Sequence, residues 1–407
     1  MEDKKQGFGK ISPSEGLMPQ EEMLEVSKSK KTLTIGIPKE ISFQEKRIAL
    51  VPEGVGLLVA NGHSVLIETM AGKDAHFSDK EYSEVGARIV YNRDEIFKCD
   101  ILLKVAPPTL DEITYLKARQ TVISALHLTI QKSEFFKEMM KKKVTALGFE
   151  YIKDVTKTFP VIRLMSEIAG IASIYVAADY LCHPAFGKGM MLGGFSGITP
   201  AEVVIIGAGT VSEYAARAAL GMGASVKVFD NSIYKLRRLQ QNLKTTMYTS
   251  ILHPKTLRKA IREADVAIGA IHSGEGRTSC IVTEDMVREM KAGAVIVDVS
   301  IDQGGCFETS RVTSHDDPVY KKYDVTHYCV PNIASRVPNT GSYALSNFFV
   351  PMLLKIGEEG GMTNMVKMDY GMRHGIYLFN GILTKKHISE YYKLPFQDIE
   401  LLMAAFQ

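Results

Sequence analysis

Charge of one sign is what this chain lacks most plainly. Across 407 residues, 49 basic side chains stand against 46 acidic ones, a formal net charge of +3. That balance, with no Arg/Lys-rich tract, gives no support to a nucleic-acid partner held by bulk attraction. Cysteine is sparse as well: Cys99, Cys182, Cys280, Cys306 and Cys329 are scattered, odd in number and form no CxxC pair. Neither a disulfide framework nor a zinc site follows, no metal is expected, and a reducing compartment fits. The start, "MEDKKQGFGK", has no apolar signal, so a cytoplasmic protein is expected. The most apolar long stretch, "GMMLGGFSGITPAEVVIIGAG" (189–209), holds Pro200, Glu202 and six glycines. A membrane span is not built that way, so a membrane partner is not expected either.

With 45% hydrophobic residues the chain can bury a large core, and its length calls for two or three domains. Residues 1–31 are polar, rich in Lys and Glu, and read as a flexible leader or short accessory helix. Apolar runs of strand length then occur at "TLTIGI", "SVLIET" (64–69), "DILLKV" (100–105), "TVISAL" (121–126) and "VTALGF" (144–149). Segments of helical period such as "PEGVGLLVANG" separate them, which predicts a parallel sheet covered on both faces. A long helix rich in small residues, "LMSEIAGIASIYVAADYL" (164–181), leads to a second alternating series. Its strands are "AEVVIIGAG" (201–209), "SVKVFD" (225–230), "ADVAIGAI" (264–271), "AVIVDVSID" (294–302) and "HYCVPN" (327–332).

The fold class expected is therefore α/β. Two Rossmann-like, doubly wound parallel-sheet domains are linked by long helices, with a cleft between them. The tail "TGSYALSNFFVPMLLKIGEEGG" (340–361) reads as a further long helix returning the chain to the first domain. The predicted division is 32–163 plus 341–407 for one domain and 164–340 for the other.

The most specific stretch is "VVIIGAGTVSEYAARAALGMGASVKVFD". A strand, Val203 to Ile206, runs into Gly207-Ala208-Gly209 and then a helix. The first glycine permits a tight turn, and the second lets backbone approach a pyrophosphate at the positive helix end. Ser212 occupies the third small position, a departure from the strict fingerprint. The next strand ends in Asp230, 23 positions after Gly207. A carboxylate there binds ribose hydroxyls and repels a 2′-phosphate, so NAD is the cofactor expected.

Reactive residues at strand ends mark the chemistry, because ligands of open α/β sheets bind at the carboxyl ends. Lys104 closes "DILLK", His127 follows "TVISAL", and Asp302 follows "AVIVDVSI". Arg47, in "FQEKRIALVP", shares that edge. Each alone is ordinary. Together they supply two cations, a proton shuttle and an anion, a set suited to oxidation at a carbon beside a carboxylate. In "IVDVSIDQGGCFE", Gly304 and Gly305 make a tight turn and let backbone approach a bound ring.

In order along the chain stand "GIPKE…KRIALVPEGV", "LLKVAPP", "LHL", "MSEIAG", "MLGGFSGITPAEVVIIGAG", "IDQGGCFETS" and "SYALSN". The pattern resembles alanine dehydrogenases, a family sharing its superfamily with the NAD-binding subunit of proton-translocating transhydrogenase. The likeness runs from about residue 33 to the end. It implies reversible NAD-dependent oxidative deamination of L-alanine to pyruvate and ammonia. It further implies that Arg47 and Lys104 bind substrate, that His127 is the acid/base and that Asp302 is the catalytic carboxylate. Ser166, Gly207, Gly209, Thr210, Val211, Asp230, Lys235 and Asn332 are the implied NAD contacts, and a homohexamer the implied assembly.

Three stretches depart from the family pattern: "KVAPP" where "KVKEP" is frequent, "IHSGEGRTS" (271–279) where "VLVPG" is usual, and "NIASRVP", which introduces Arg336. Dehydrogenation of another small amino or hydroxy acid therefore stays open, as does a soluble transhydrogenase-like or NAD-sensing module.

Overall fold

The computed structural model describes residues 30–128, 131–272 and 278–405. The leader up to residue 29 and most of the 271–279 departure lie outside the described residues. The first series forms β1 (Thr34–Ile37), β2 (Ser64–Glu68), β3 (Arg88–Val90), β4 (Ile101–Leu103), β5 (Thr121–Ser124) and β6 (Thr145–Gly148). The second forms β7 (Glu202–Ile206), β8 (Ser225–Phe229), β9 (Tyr248–Ser250), β10 (Val266–Gly269), β11 (Val295–Asp298), β12 (Val319–Lys322) and β13 (Val325–Tyr328). Near the end of the chain come β14 (Ile376–Phe379) and β15 (Ile382–Leu383).

The strands make two sheets, ordered β15-β14-β6-β5-β4-β1-β2-β3 and β12-β13-β11-β10-β7-β8-β9. β1 to β6 pair in parallel, and so do β7 to β11 and β13. The antiparallel pairs are at the edges: β12 on β13, and β14 on β6 and β15. Each six-stranded core thus follows the doubly wound order 3-2-1-4-5-6.

Alternation along the strands divides each core into two faces. Ile35, Ile37, Val65 and Ile67 pack with Phe349 and Leu353 of the return helix Pro338–Glu358. Leu66, Leu102 and Val122 point the other way, onto Phe135, Phe136 and Met139. In the second sheet, Val203, Ile205 and Val297 meet Ala169, Ala172, Ala215 and Ala216, while Val204, Ile206 and Ile296 meet Leu257 and Ile261.

The connecting helix Pro160–Cys182 has 23 residues and is apolar enough to cross a membrane by composition. It packs instead on the helix Thr210–Gly221 and on β11. Small side chains allow that close approach. Pro160 and Pro338 each open their helix, where a missing N–H costs nothing. Pro351 lies inside the return helix, longer at its start than the sequence pattern indicated.

Two expectations are corrected. The strand expected to run to Asp302 stops at Asp298, whose side chain accepts the Ser300 N–H at 3.0 Å and caps a 3-10 helix, Val299–Gln303. The strands β3, β9, β12, β14 and β15 were not anticipated. They are short or lie at a sheet margin, where periodicity is weakest.

Candidate active site

In each sheet the loops leaving the central strands diverge, between β1 and β4 in one and between β7 and β10 in the other. Both switch points open a crevice. The loop after β1 crosses from the first sheet to the second. Phe43 (φ 57) and Gln44 (φ 49) adopt left-handed backbone, uncommon for such side chains. Gln44 then donates to Asp316 at 2.6 Å and accepts the His315 N–H at 2.7 Å. The Lys46 N–H donates to Ser335 Oγ at 2.9 Å.

Arg47 is buried at the centre of this crossing. Its Nε and Nη2 each donate to Glu45 at 2.7 Å, and Nη2 also donates to Asn332 Oδ1 at 2.8 Å. Nη1 points at Met165 Sδ, 2.9 Å away. Asn332 donates through Nδ2 to Glu45 at 2.8 Å and through its backbone to Asp302 Oδ1 at 2.9 Å. Burial alone would raise the Glu45 carboxyl, but the charge and hydrogen bonds of Arg47 overrule it and hold it at about 2. Burial works against the Arg47 charge, and Glu45, with Glu40 and Asp302, more than compensates.

Lys104, fully buried at the end of β4, is not a rim residue. Its Nζ donates to Glu112 at 3.0 Å and lies 3.1 Å from Glu40 Oε2. That second contact is an ion pair outside hydrogen-bond geometry, since Glu40 Oε2 has no hydrogen-bond partner among the described residues. Glu112 is held by its place in a capping box with Thr109. Burial opposes the lysine charge, the two carboxylates outweigh it, and the pKa goes up. Glu40 pays in the other direction: burial raises its pKa, and Lys104 only partly offsets that. Both expected substrate-binding cations therefore already have protein carboxylate partners.

His127 and Asp302 present open surface to the crevice, yet protein crowds both. Crowding lowers the His127 pKa, with the Arg47 charge adding to it. It raises that of Asp302 against the Asn332 N–H and Arg47. Arg47 is thus felt by both groups, while Lys104 is reached only through Glu40, whose charge acts on both cations. Asp298, just before, is a structural anion: it accepts Cys306 N–H at 3.0 Å and Ser310 Oγ–H at 2.7 Å.

The cofactor side is built at the end of β7. Gly207 has φ 111, and a Cβ there would sit 2.3 Å from Ala270 O. Gly209, the N-cap of Thr210–Gly221, makes no side-chain cap, and a Cβ there would meet nothing within 4 Å. The protein itself does not demand that glycine. Open space over a helix N-terminus is what a pyrophosphate fills. Thr210 and Val211 open the helix, and Ser212 is fully buried with no partner for Oγ among the described residues. Asp230 accepts from Ala208 N–H at 2.8 Å and Ser232 N–H at 2.7 Å, which steadies its carboxylate beside the turn. Lys235 is exposed on the following helix; burial lowers the pKa of His272, and the Lys235 charge adds to it. Ser166 is half-buried next to Met165, and Asn332 (φ 55) stands between Arg47 and Asp302. Arg336 turns to Asp179, at 3.3 Å. The residues present fit a dinucleotide.

Sequence reasoning missed Glu40, Glu45 and Glu112, although Glu45 in "QEKR" stands two positions before Arg47. An acidic residue so near a candidate substrate cation is the usable signal.

Comparison with known proteins gives the same picture. The domain described as alanine dehydrogenase/PNT, N-terminal, matches residues 36–169, and its C-terminal counterpart matches 173–386. An alanine dehydrogenase of Staphylococcus saprophyticus is 37% identical over 369 residues, 90% of this chain and 99% of that protein. The chain belongs to the alanine dehydrogenase/PNT family. Another such enzyme, from Mycolicibacterium smegmatis, is 37% identical over 373 residues, 91% of this chain and all of its own length (100%). A solved L-alanine dehydrogenase superposes with a TM-score of 0.84 at 34% identity, covering 88% of this chain and 99% of its own. A transhydrogenase of Sinorhizobium meliloti, at 23% identity and a TM-score of 0.73, shares the fold.

Proposed function

We propose that this family member catalyses the reversible, NAD-dependent oxidative deamination of L-alanine to pyruvate and ammonia. The observation that carries the reading is the chain of contacts from Arg47 through Asn332 to Asp302, which joins the loop after β1 of one sheet to the loops after β13 and β11 of the other. The first sheet with residues 32–163 and 341–407 holds substrate, and residues 164–340 hold NAD. The pairing of β14 with β6 supports that division.

NAD held at the turn after β7 would supply the hydride acceptor for the alanine Cα. The chain's own residues do the rest. Arg47 has five N–H groups, and Nη1 is aimed only at a thioether, a weak acceptor. Nη1 is therefore the atom that greets the substrate carboxylate. Lys104 adds positive potential and, beyond the N–H given to Glu112, has N–H groups to offer the keto oxygen once Glu40 is displaced. His127, neutral because its pKa is depressed, takes the proton as water adds to the iminium carbon and gives it to the amine nitrogen, so that the C–N bond breaks and ammonia leaves as the carbonyl forms. Asp302 stabilises the cationic intermediate and orients the water. Ser166, Gly207, Gly209, Thr210, Val211, Asp230, Lys235 and Asn332 position the dinucleotide. Holding the reactants in this way is worth roughly 7–11 kcal/mol of barrier.

NADH absorbance with L-alanine and NAD tests the reading, run beside a panel of small amino and hydroxy acids. A stronger response to another acid replaces the substrate assignment. His127→Ala should lower kcat roughly 10²–10⁴-fold with NAD affinity kept. A homohexamer in the cytoplasm is part of the proposal, and light scattering of the purified chain tests the assembly.

A further inference from the structure

We propose that Glu150 is the positioning residue for His127 and makes the placement of the imidazole sensitive to pH. This rests on the reading of His127 as the proton carrier.

The sheet register shows why a side chain is needed here. β5 and β6 run parallel with Ser124 opposite Gly148, and both strands end at that pair. Ala125 N–H still reaches Val105 O at 3.1 Å, but the next two amides have left the ladder. Glu150 stands in for it: Oε1 accepts Leu126 N–H at 2.6 Å and His127 N–H at 3.2 Å. His127 itself has φ 47. A non-glycine residue keeps that backbone only where its surroundings impose it. So held, the imidazole faces Phe43, ring centroids 5.9 Å apart.

The other oxygen, Oε2, is sealed from solvent and has no hydrogen-bond partner among the described residues. Tyr377 on β14, equally buried and with an unpartnered hydroxyl, feels the Glu150 charge. Around the short helix Phe149–Tyr151, Lys385 bonds His374 O, Lys153 lies over the Phe159 ring, and the other cations are also engaged. Arg373 bonds Glu400, His374 bonds Tyr151 O, and Arg163 pairs with Glu167. Desolvation, moderated only by backbone N–H donors, pushes the Glu150 carboxyl up to about 7.

The proton belongs on Oε2, the oxygen without a donor. Oε1 then keeps both amides as a neutral acceptor, and its hold weakens because charged acceptors make the stronger hydrogen bonds. Above neutrality the carboxylate grips the His127 backbone. Below it the grip loosens and turnover falls, in addition to any loss from protonation of His127.

Glu150→Gln keeps an acceptor oxygen and cannot titrate. As a neutral acceptor it mimics the protonated acid, so its kcat at alkaline pH should already lie about three- to tenfold below wild type, and the acid limb of its pH profile should keep only the His127 component, at lower pH. Glu150→Leu, which removes the acceptor, should lose kcat roughly 10²-fold at every pH, with NADH affinity by fluorescence unchanged. Infrared difference spectra supply a readout independent of activity. A carboxylic-acid carbonyl band should grow in as wild type is titrated through neutrality, and should be missing in Glu150→Gln. Absence of that band in wild type overturns the proposal even where no variant folds. Near-normal turnover in His127→Ala overturns both readings together. An unshifted acid limb in Glu150→Gln, beside an inactive His127→Ala, overturns this one alone.

Discussion

Arg47 donates to Asn332 Oδ1 at 2.8 Å, across 285 residues of sequence, while both side chains also hold Glu45. A guanidinium is the one cation whose planar fork reaches a carboxylate and an amide together. Arg47→Lys should therefore raise the KM for alanine at least about tenfold, some 1.4 kcal/mol, and leave NADH binding within about twofold. Steady-state kinetics beside a fluorescence titration decides it, and an unchanged KM removes Arg47 from the substrate site.

The two glycines of the cofactor turn should fail in different ways. Gly207→Ala combines a positive φ with a Cβ 2.3 Å from a carbonyl. It should lower the melting temperature as well as NAD affinity. Gly209→Ala meets no protein atom within 4 Å. Its melting temperature should match wild type while NAD binding weakens at least about tenfold, the loss of a close backbone contact. Calorimetry of binding and melting on both variants tests the pair.

Glu45 gives the fold a defined acid limit. Its folded pKa, about 2, lies below the ordinary 4.5. The stabilisation is therefore complete above 4.5 and is lost as pH falls through 2, and linkage puts it near about 3 kcal/mol. Urea midpoints between pH 6 and pH 3 should fall in wild type. They should change less in Glu45→Gln, which starts lower. Parallel curves would show that Glu45 is not the group responsible.

Lys104→Met should destabilise by about 3–5 kcal/mol, because it leaves Glu40 buried without its cation, whereas Glu112 keeps Arg93 at 2.8 Å. Adding Glu40→Gln should recover part of that loss, since it removes the carboxyl left 3.1 Å from the missing ammonium. If the double variant is less stable than the single one, Glu40 has a separate structural role.

Much of the architecture was legible because parallel strands buried on both faces leave continuous apolar runs, and β1, β2, β4, β7 and β8 did so. The turn at Gly207 and Gly209, with Asp230 beside it, was readable for a related reason: a tight strand-to-helix turn makes backbone demands that show up as glycine spacing. Lys104 was placed at the right strand end but in the wrong surroundings. No local pattern tells a solvated lysine from one enclosed by Glu40 and Glu112, which sit 64 positions before it and 8 after. Glu150 was invisible for the same reason. Its role depends on β5 and β6 ending side by side.

By itself the sequence determined the alternation of strands and helices, the glycine turn after β7 and which titratable groups stand at strand ends. All of these depend on neighbours within a few residues. Tertiary structure alone decided which carboxylates neutralise Arg47 and Lys104, that β11 turns aside at Asp298, and which oxygen holds the His127 amide. Those outcomes depend on burial and on charges brought together from distant parts of the chain, and desolvation acts only once the sheets have closed around them.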